Sequence, residues 1–126
     1  MEKYQGLVDE VREPAASLRH EAPDAWAGFA ALHSAAMADG EVSARMKELV
    51  AISISVVKGG EGCIAHHARR AARLGATRSE VAEVLSVALL MDGGPATVYG
   101  PKAWEAFLEF EPSQRAPDVR LTSATR

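Results

Sequence analysis

With only one cysteine in 126 residues, the chain has no possible intrachain disulfide. Zinc sites that draw two or more cysteines from one chain are excluded with it. No run approaches the roughly 18 uninterrupted apolar residues of a membrane-spanning helix. The first residues, MEKYQGLVDEVREP, are charged from the second position and contain no apolar core of a secretory signal. Clustered Lys and Arg are missing too. Against 14 basic residues stand 17 acidic ones, for a net charge of −3, so neither nucleic acid nor an anionic membrane surface is an expected partner. Wholesale disorder is excluded by a composition that is 48% hydrophobic and 25% charged. The expectation is a single domain over residues 1–126, in the reducing environment of the cytoplasm.

Alanine is what the chain has in abundance, at 24 positions. It is the strongest helix former because it loses no side-chain entropy. Ala-rich segments between short Gly and Pro breaks predict an all-α fold of about six helices. A first helix is expected from Tyr4 to about Val11, stopped near Pro14, with residues 15–22 left open. A second starts after Pro23 and Asp24 and carries Trp26, Phe29, Ala30, Leu32, His33 and Met37 at spacings of three and four. Ser43 is a cap for a third helix through Lys58. Within it Ile52-Ser53-Ile54-Ser55-Val56 alternates like a strand, but helical spacing continues upstream to Met46, which favours helix. A fourth helix runs from about Cys63 to Leu74, with Gly75 just past its end. Thr77-Arg78-Ser79-Glu80 has the form of a capping box opening a fifth, to Met91. A last helix passes through Val98, Trp104, Phe107 and Leu108. The core is expected within about 23–110 and a tail over 111–126.

Chemistry concentrates at Gly59-Gly60-Glu61-Gly62-Cys63-Ile64-Ala65-His66-His67. Glycines lead into the first turn of a helix, where unpaired N–H groups and the positive end of the macrodipole favour a thiolate. His67 lies four residues beyond Cys63, on the same face one turn away, and an imidazole there can manage the thiol proton. Glu48 directly precedes the acid-free stretch Leu49–Val57, and a carboxylate there can orient an imidazole. The plainer readings stand beside these. Cys63 can be a small buried hydrophobe, the histidines ordinary helical residues, and Glu48 a solvated charge. A metal site from Cys63, His66, His67 and Glu48 is disfavoured, because adjacent histidines point about 100° apart on a helix. Neither a metal nor a cofactor is expected.

The order Glu48, then Cys63-Ile64-Ala65-His66-His67, then a Gly-Ala-Thr turn into Glu80-Val81-Ala82-Glu83-Val84-Leu85, resembles the carboxymuconolactone decarboxylase and alkyl hydroperoxidase D-like family over roughly residues 25–110. In the redox branch of that family a glutamate is followed by Cys-x-x-Cys-x-x-x-His at the start of a helix. Glu48, Cys63 and His67 match its glutamate, second cysteine and histidine in order and offset. The first cysteine is replaced by Gly60, and Gly62 precedes Cys63 where the family sometimes has histidine.

The resemblance implies a single-domain helical bundle of the alkyl hydroperoxidase D-like type, assembled as a homotrimer or homohexamer. Independently, residues 81–91 (VAEVLSVALLM) are apolar nearly all round, more than one small subunit covers. The activity implied is thiol-dependent and peroxidase-like, or disulfide exchange. Cys63 would be the nucleophile, with Glu48 and His67 as its proton relay. A chain with one thiol then needs an external thiol to resolve the product. A decarboxylase of a small carboxylated lactone, or a non-catalytic oligomeric scaffold, is the alternative. For the lactone, Arg45, Arg69 and Arg70 are available but read as helix-surface charges rather than a substrate clamp.

Overall fold

Helices are the sole regular structure among residues 2–114, the part of the chain that the computed structural model describes. Seven of them follow in order: α1 Lys3–Glu10, α2 Arg12–Glu21, α3 Pro23–Met37, α4 Ala44–Lys58, α5 Glu61–Arg73, α6 Arg78–Asp92 and α7 Ala96–Gln114. None is long and apolar enough to cross a membrane.

The body is built on α5, which packs against α4, α7 and α1. Its buried residues are Ile64, Ala65, Ala68, Ala71 and Ala72, a stripe at helical spacing made mostly of methyl groups. So narrow a stripe lets neighbouring helices approach closely, since interaxial distance follows the side chains at the contact. On α4 the buried set is Glu48, Leu49, Ile52, Ser55 and Val56. The strand-like alternation there is thus only local. Ile52, Ser55 and Val56 turn inward at helical spacing while Ile54 is exposed. Phe107 and Phe110 of α7 and Val81 and Leu85 of α6 complete the core.

The helix ends follow their capping chemistry. Ser43 Oγ accepts from the Met46 N–H at 3.1 Å. The Thr77 hydroxyl accepts from the Glu80 N–H at 3.1 Å and Glu80 Oε1 accepts from the Thr77 N–H at 3.0 Å, closing the capping box. Gly59 ends α4 in the left-handed region at φ 70°, and the edge of the Tyr99 ring lies against it.

Four features depart from the expectations. Residues 12–21 are helical, because Pro14 falls in the first turn of α2, where a missing N–H breaks no hydrogen bond. The chain breaks at Val11 instead. Glu61, two residues before Cys63, opens α5. The core begins at Tyr4, not near residue 23. Tyr4 is buried, its hydroxyl donates to Glu105 at 2.7 Å, and its N–H and that of Gln5 donate to the Glu109 carboxylate at 2.9 and 3.0 Å. That carboxylate sits on the N-terminus of α1, where the helix dipole favours it. Finally, α7 runs on to Gln114, and the buried Glu111 takes a hydrogen bond from Arg78 at 2.9 Å. The rest of the expected tail, 115–126, lies outside the described residues.

The apolar face of α3 is not core. That helix contributes no buried residue, and Phe29 and Leu32 are 63% and 62% exposed. In α6 the division is internal: Val81, Leu85 and Ala88 face the core, while Val87, Leu89, Leu90 and Met91 face outward. Phe107 and Trp104, as aromatics of the last helix, are expected to lie partly between subunits; Phe107 is instead fully buried within this chain, and Trp104 is half-buried.

Removing one side of the Thr77 capping box should weaken the domain by an amount typical of such caps. Thr77→Ala is expected to lower the free energy of urea unfolding by about 1 kcal/mol with an unchanged slope.

Candidate active site

The site forms where α4 stops and α5 starts. Gly59 turns the chain out of α4, and Gly60, extended at φ −94° and ψ 98°, is the N-cap of α5. With no side chain on Gly60, no side-chain cap covers the first amides of the helix. Cys63 occupies the third helical position, within this uncapped turn, and is exposed. A salt bridge pins the start of the helix, Glu61 to Lys102 of α7 at 2.7 Å.

One turn on, His67 meets Glu48. Its Nδ1 lies 2.7 Å from Oε1, and Arg70 Nε donates to Oε2 at 2.9 Å. Glu48 is 1% exposed and sits on the buried stripe of α4, so helical spacing alone carries its carboxylate into the interface with α5. Burial pushes its carboxyl upward, but the hydrogen bonds and charges of His67 and Arg70 outweigh this and hold it below the ordinary carboxylate range. An ionised carboxylate only accepts hydrogen bonds, so Nδ1 of His67 carries the hydrogen that faces Glu48, and Nε2 is the nitrogen left to exchange a proton.

Cys63 and His67 together line two cavities. The first, about 440 Å³, is walled by Leu7, Val8 and Val11 from the α1 region, by Phe29 and His33 of α3, and by His66 of α5. The second, about 390 Å³, lies toward α4 and is bounded by Ala51, Ile54, Ser55, Lys58 and Gly60. His66 packs edge-on between His67 and His33, with ring centroids 5.0 and 6.4 Å away. Burial lowers its pKa from the usual histidine value, which favours a neutral ring. Among the described residues, no group of three or more His, Cys, Asp or Glu side chains is arranged to hold a metal.

Glu48 and His67 are thus in direct contact, and Cys63 shares both cavities with His67. Sequence reasoning missed Arg70, which it took as a surface charge. Yet Cys63, His67 and Arg70 stand at i, i+4 and i+7, one stripe of α5, and that spacing was the available signal. Arg45 does make a surface pair, to Glu80 at 3.2 Å. The wall supplied by α1 was missed as well, for want of any local pattern tying residues 7–11 to residue 63.

Comparison with known proteins identifies the family of the chain. The family model for the carboxymuconolactone decarboxylase family matches residues 23–107. An uncharacterized protein of Cupriavidus necator is 37% identical over 100 residues, covering 79% of this chain and 88% of that one. An uncharacterized protein encoded in the cox locus of Paracoccus denitrificans is 36% identical over 75 residues, 60% of this chain and 68% of its own. Among solved structures, a carboxymuconolactone decarboxylase family protein from Legionella pneumophila, crystallised in its apo form, superposes with a TM-score of 0.86 at 37% identity. The match covers 89% of this chain and all of that one.

The geometry at Gly60 makes a sharp test of the loop. A Cβ built there would lie 3.7 Å from the Cβ of Cys63 and 3.8 Å from its Sγ. Disulfides have Cβ atoms about 3.5–4.5 Å apart, and the extended backbone of Gly60 suits any residue. Gly60→Cys should therefore close a disulfide under mild oxidant, with titratable thiols falling to none on a folded protein. Two thiols that remain free in a folded variant would contradict this geometry.

Proposed function

We propose that this chain, which belongs to the carboxymuconolactone decarboxylase family, is a thiol-dependent peroxidase-like protein whose single reactive thiol is Cys63. The observation that supports this most is the Glu48–His67 contact, one helical turn from an exposed cysteine on an uncapped helix start. In the reaction, His67 Nε2 takes the thiol proton and the thiolate attacks the terminal oxygen of a hydroperoxide. An S–O bond forms, the O–O bond breaks, and the leaving alkoxide regains the proton from His67 as an alcohol. Cys63 is then a sulfenic acid. One external thiol displaces water from it to give a mixed disulfide, and a second restores Cys63 as it leaves in a disulfide with the first. Disulfide exchange would use the same thiolate on a sulfur target. Reducing surroundings such as the cytoplasm keep such a thiol supplied.

A carboxylated lactone fits less well. Among the described residues, no Lys or Arg lines the larger cavity, Lys58 is the single such cation bounding the smaller one, and Arg70 already holds Glu48. The assembly we propose is a homotrimer or homohexamer, supported by the apolar side chains this subunit leaves uncovered on α3 and α6, Leu90 being 81% exposed.

With an organic hydroperoxide and dithiothreitol, the purified protein should consume peroxide catalytically. Cys63→Ser should abolish turnover and His67→Ala should reduce it by about 10²-fold, a usual loss for a general base. A native Cys63 inert to peroxide and to alkylating agents until the protein unfolds would sink the thiol reading.

Light scattering should give three or six times the 13.4 kDa subunit mass. Leu90→Glu is expected to shift the protein toward smaller species, whereas a stable wild-type monomer at micromolar concentration would refute assembly.

A further inference from the structure

The side chain that the thiol chemistry has not yet used is Arg70. We infer that Arg70 is a positioning residue of this site: by holding Oε2 of Glu48 it keeps Oε1 ionised and aimed at Nδ1 of His67. The role rests on the thiol reading for its purpose, though the contacts stand without it.

A carboxylate that is 1% exposed cannot leave an oxygen without a partner at small cost. With only His67 on Oε1, the second oxygen would invite a proton, and a protonated Glu48 no longer accepts reliably from Nδ1–H. The ring would then be free to turn and its tautomer would be unspecified. Arg70 removes both freedoms. Its Nε–H bonds Oε2 at 2.9 Å, so the carboxylate plane is held at two points by residues one turn apart on the same helix. The guanidinium charge adds to the effect because it cannot be lost at any relevant pH. Arg70 itself is 40% exposed, so a stability role of its own is small, as for other solvent-facing ion pairs. Its neighbour Arg69 carries the same charge but is set among Arg73, Arg12 and Asp9, away from the carboxylate. The charged and titratable groups set against Glu48 come from α5: His67 and Arg70 in contact, and His66 beyond them.

The sign of the pH effect follows. The carboxyl of Glu48 lies below its ordinary value partly because of Arg70, so removing Arg70 raises it. Protonation of Glu48, and with it the loss of His67 support to the thiol, should then begin at higher pH.

The test reads the reaction of Cys63 with 2,2′-dipyridyl disulfide between pH 3.5 and 8, together with the Glu48 carboxyl titration followed by carbon-13 NMR. Arg70→Met should move the acid limb of the rate and the Glu48 midpoint upward together, by about one pH unit. Arg70→Lys, which keeps the charge, should show little of that shift, and Arg69→Met should leave both where they are in the wild type. Should Arg70→Met not fold, Arg70→Gln is the substitute, with about half the shift expected. Unmoved profiles in a folded Arg70 variant, or an equal shift from Arg69→Met, would overturn the role. If Cys63 proves inert to peroxide yet these shifts appear, the peroxidase reading falls and the positioning role stands. If Cys63 is inert to the probe as well, the Glu48 midpoint alone decides.

Discussion

The site depends on one buried charge. Glu48 lies between α4 and α5 at a depth where an unpaired carboxylate would be expelled or protonated. Its two partners, His67 and Arg70, come from the same face of α5, so the register between the helices is chemically marked as well as sterically packed. Sliding α5 by four residues would bring Ala71 and Leu74, or Cys63 and His66, to the carboxylate in place of His67 and Arg70. A buried ion pair is weak evidence of stability, but it distinguishes one register from its neighbours. Here the distinguished register is the one that brings Glu48 to the imidazole one turn from the thiol.

That register is available because α5 is thin. Ala65, Ala68, Ala71 and Ala72 give it a buried face with little shape of its own. Methyl stripes pack closely but discriminate poorly between registers, since one alanine resembles the next. Polar pairs at the edges of the stripe supply the discrimination. Glu48 does so on one side, and Glu61 with Lys102 at the first turn anchors the start of the helix against α7. The N-terminal helix adds a third constraint, tied to α7 through Glu109 and Glu105, and its far end walls the cavity above Cys63.

What was legible in the sequence divides along the range of the interaction. Ser43, Gly59, Gly75 and the Thr77–Glu80 box act within four residues, and their helix ends came out close to expectation. Pairing Glu48 with His67 rested on offsets matched to a family pattern, and the two side chains do meet. Tyr4 illustrates the other case. Nothing near it announces burial, because its partners, Glu105 and Glu109, are about a hundred residues away. Phe29 and Leu32 fail in the opposite sense: their spacing is that of a core face, yet both are largely exposed in this chain. Periodicity reports that a face wants burial, not which chain provides it. Arg70 was lost to a habit of reading arginine as solvent-facing, and its head group does reach water while Nε turns inward.

The empty position at Gly60 links the fold to the chemistry. Extended backbone there would accept any side chain, so no left-handed turn demands a glycine, unlike at Gly59. What the glycine does is leave the sulfur of Cys63 open toward α4, into a cavity that Lys58 and Ser55 help to bound. A second thiol on the chain would compete for that approach and close the sulfur into a ring. Without one, under the proposed activity, the oxidised sulfur would remain accessible to a molecule from solution, and the rate of its recovery would depend on the concentration of that molecule. Such a site is tuned by its surroundings rather than by an internal partner. The same openness that makes Cys63 reachable makes it vulnerable to further oxidation, since sulfenic acids not met by a thiol proceed to irreversible states. On the proposed thiol reading, resolution from outside must therefore outrun a second peroxide, which would tie the working of this protein to the thiol level around it.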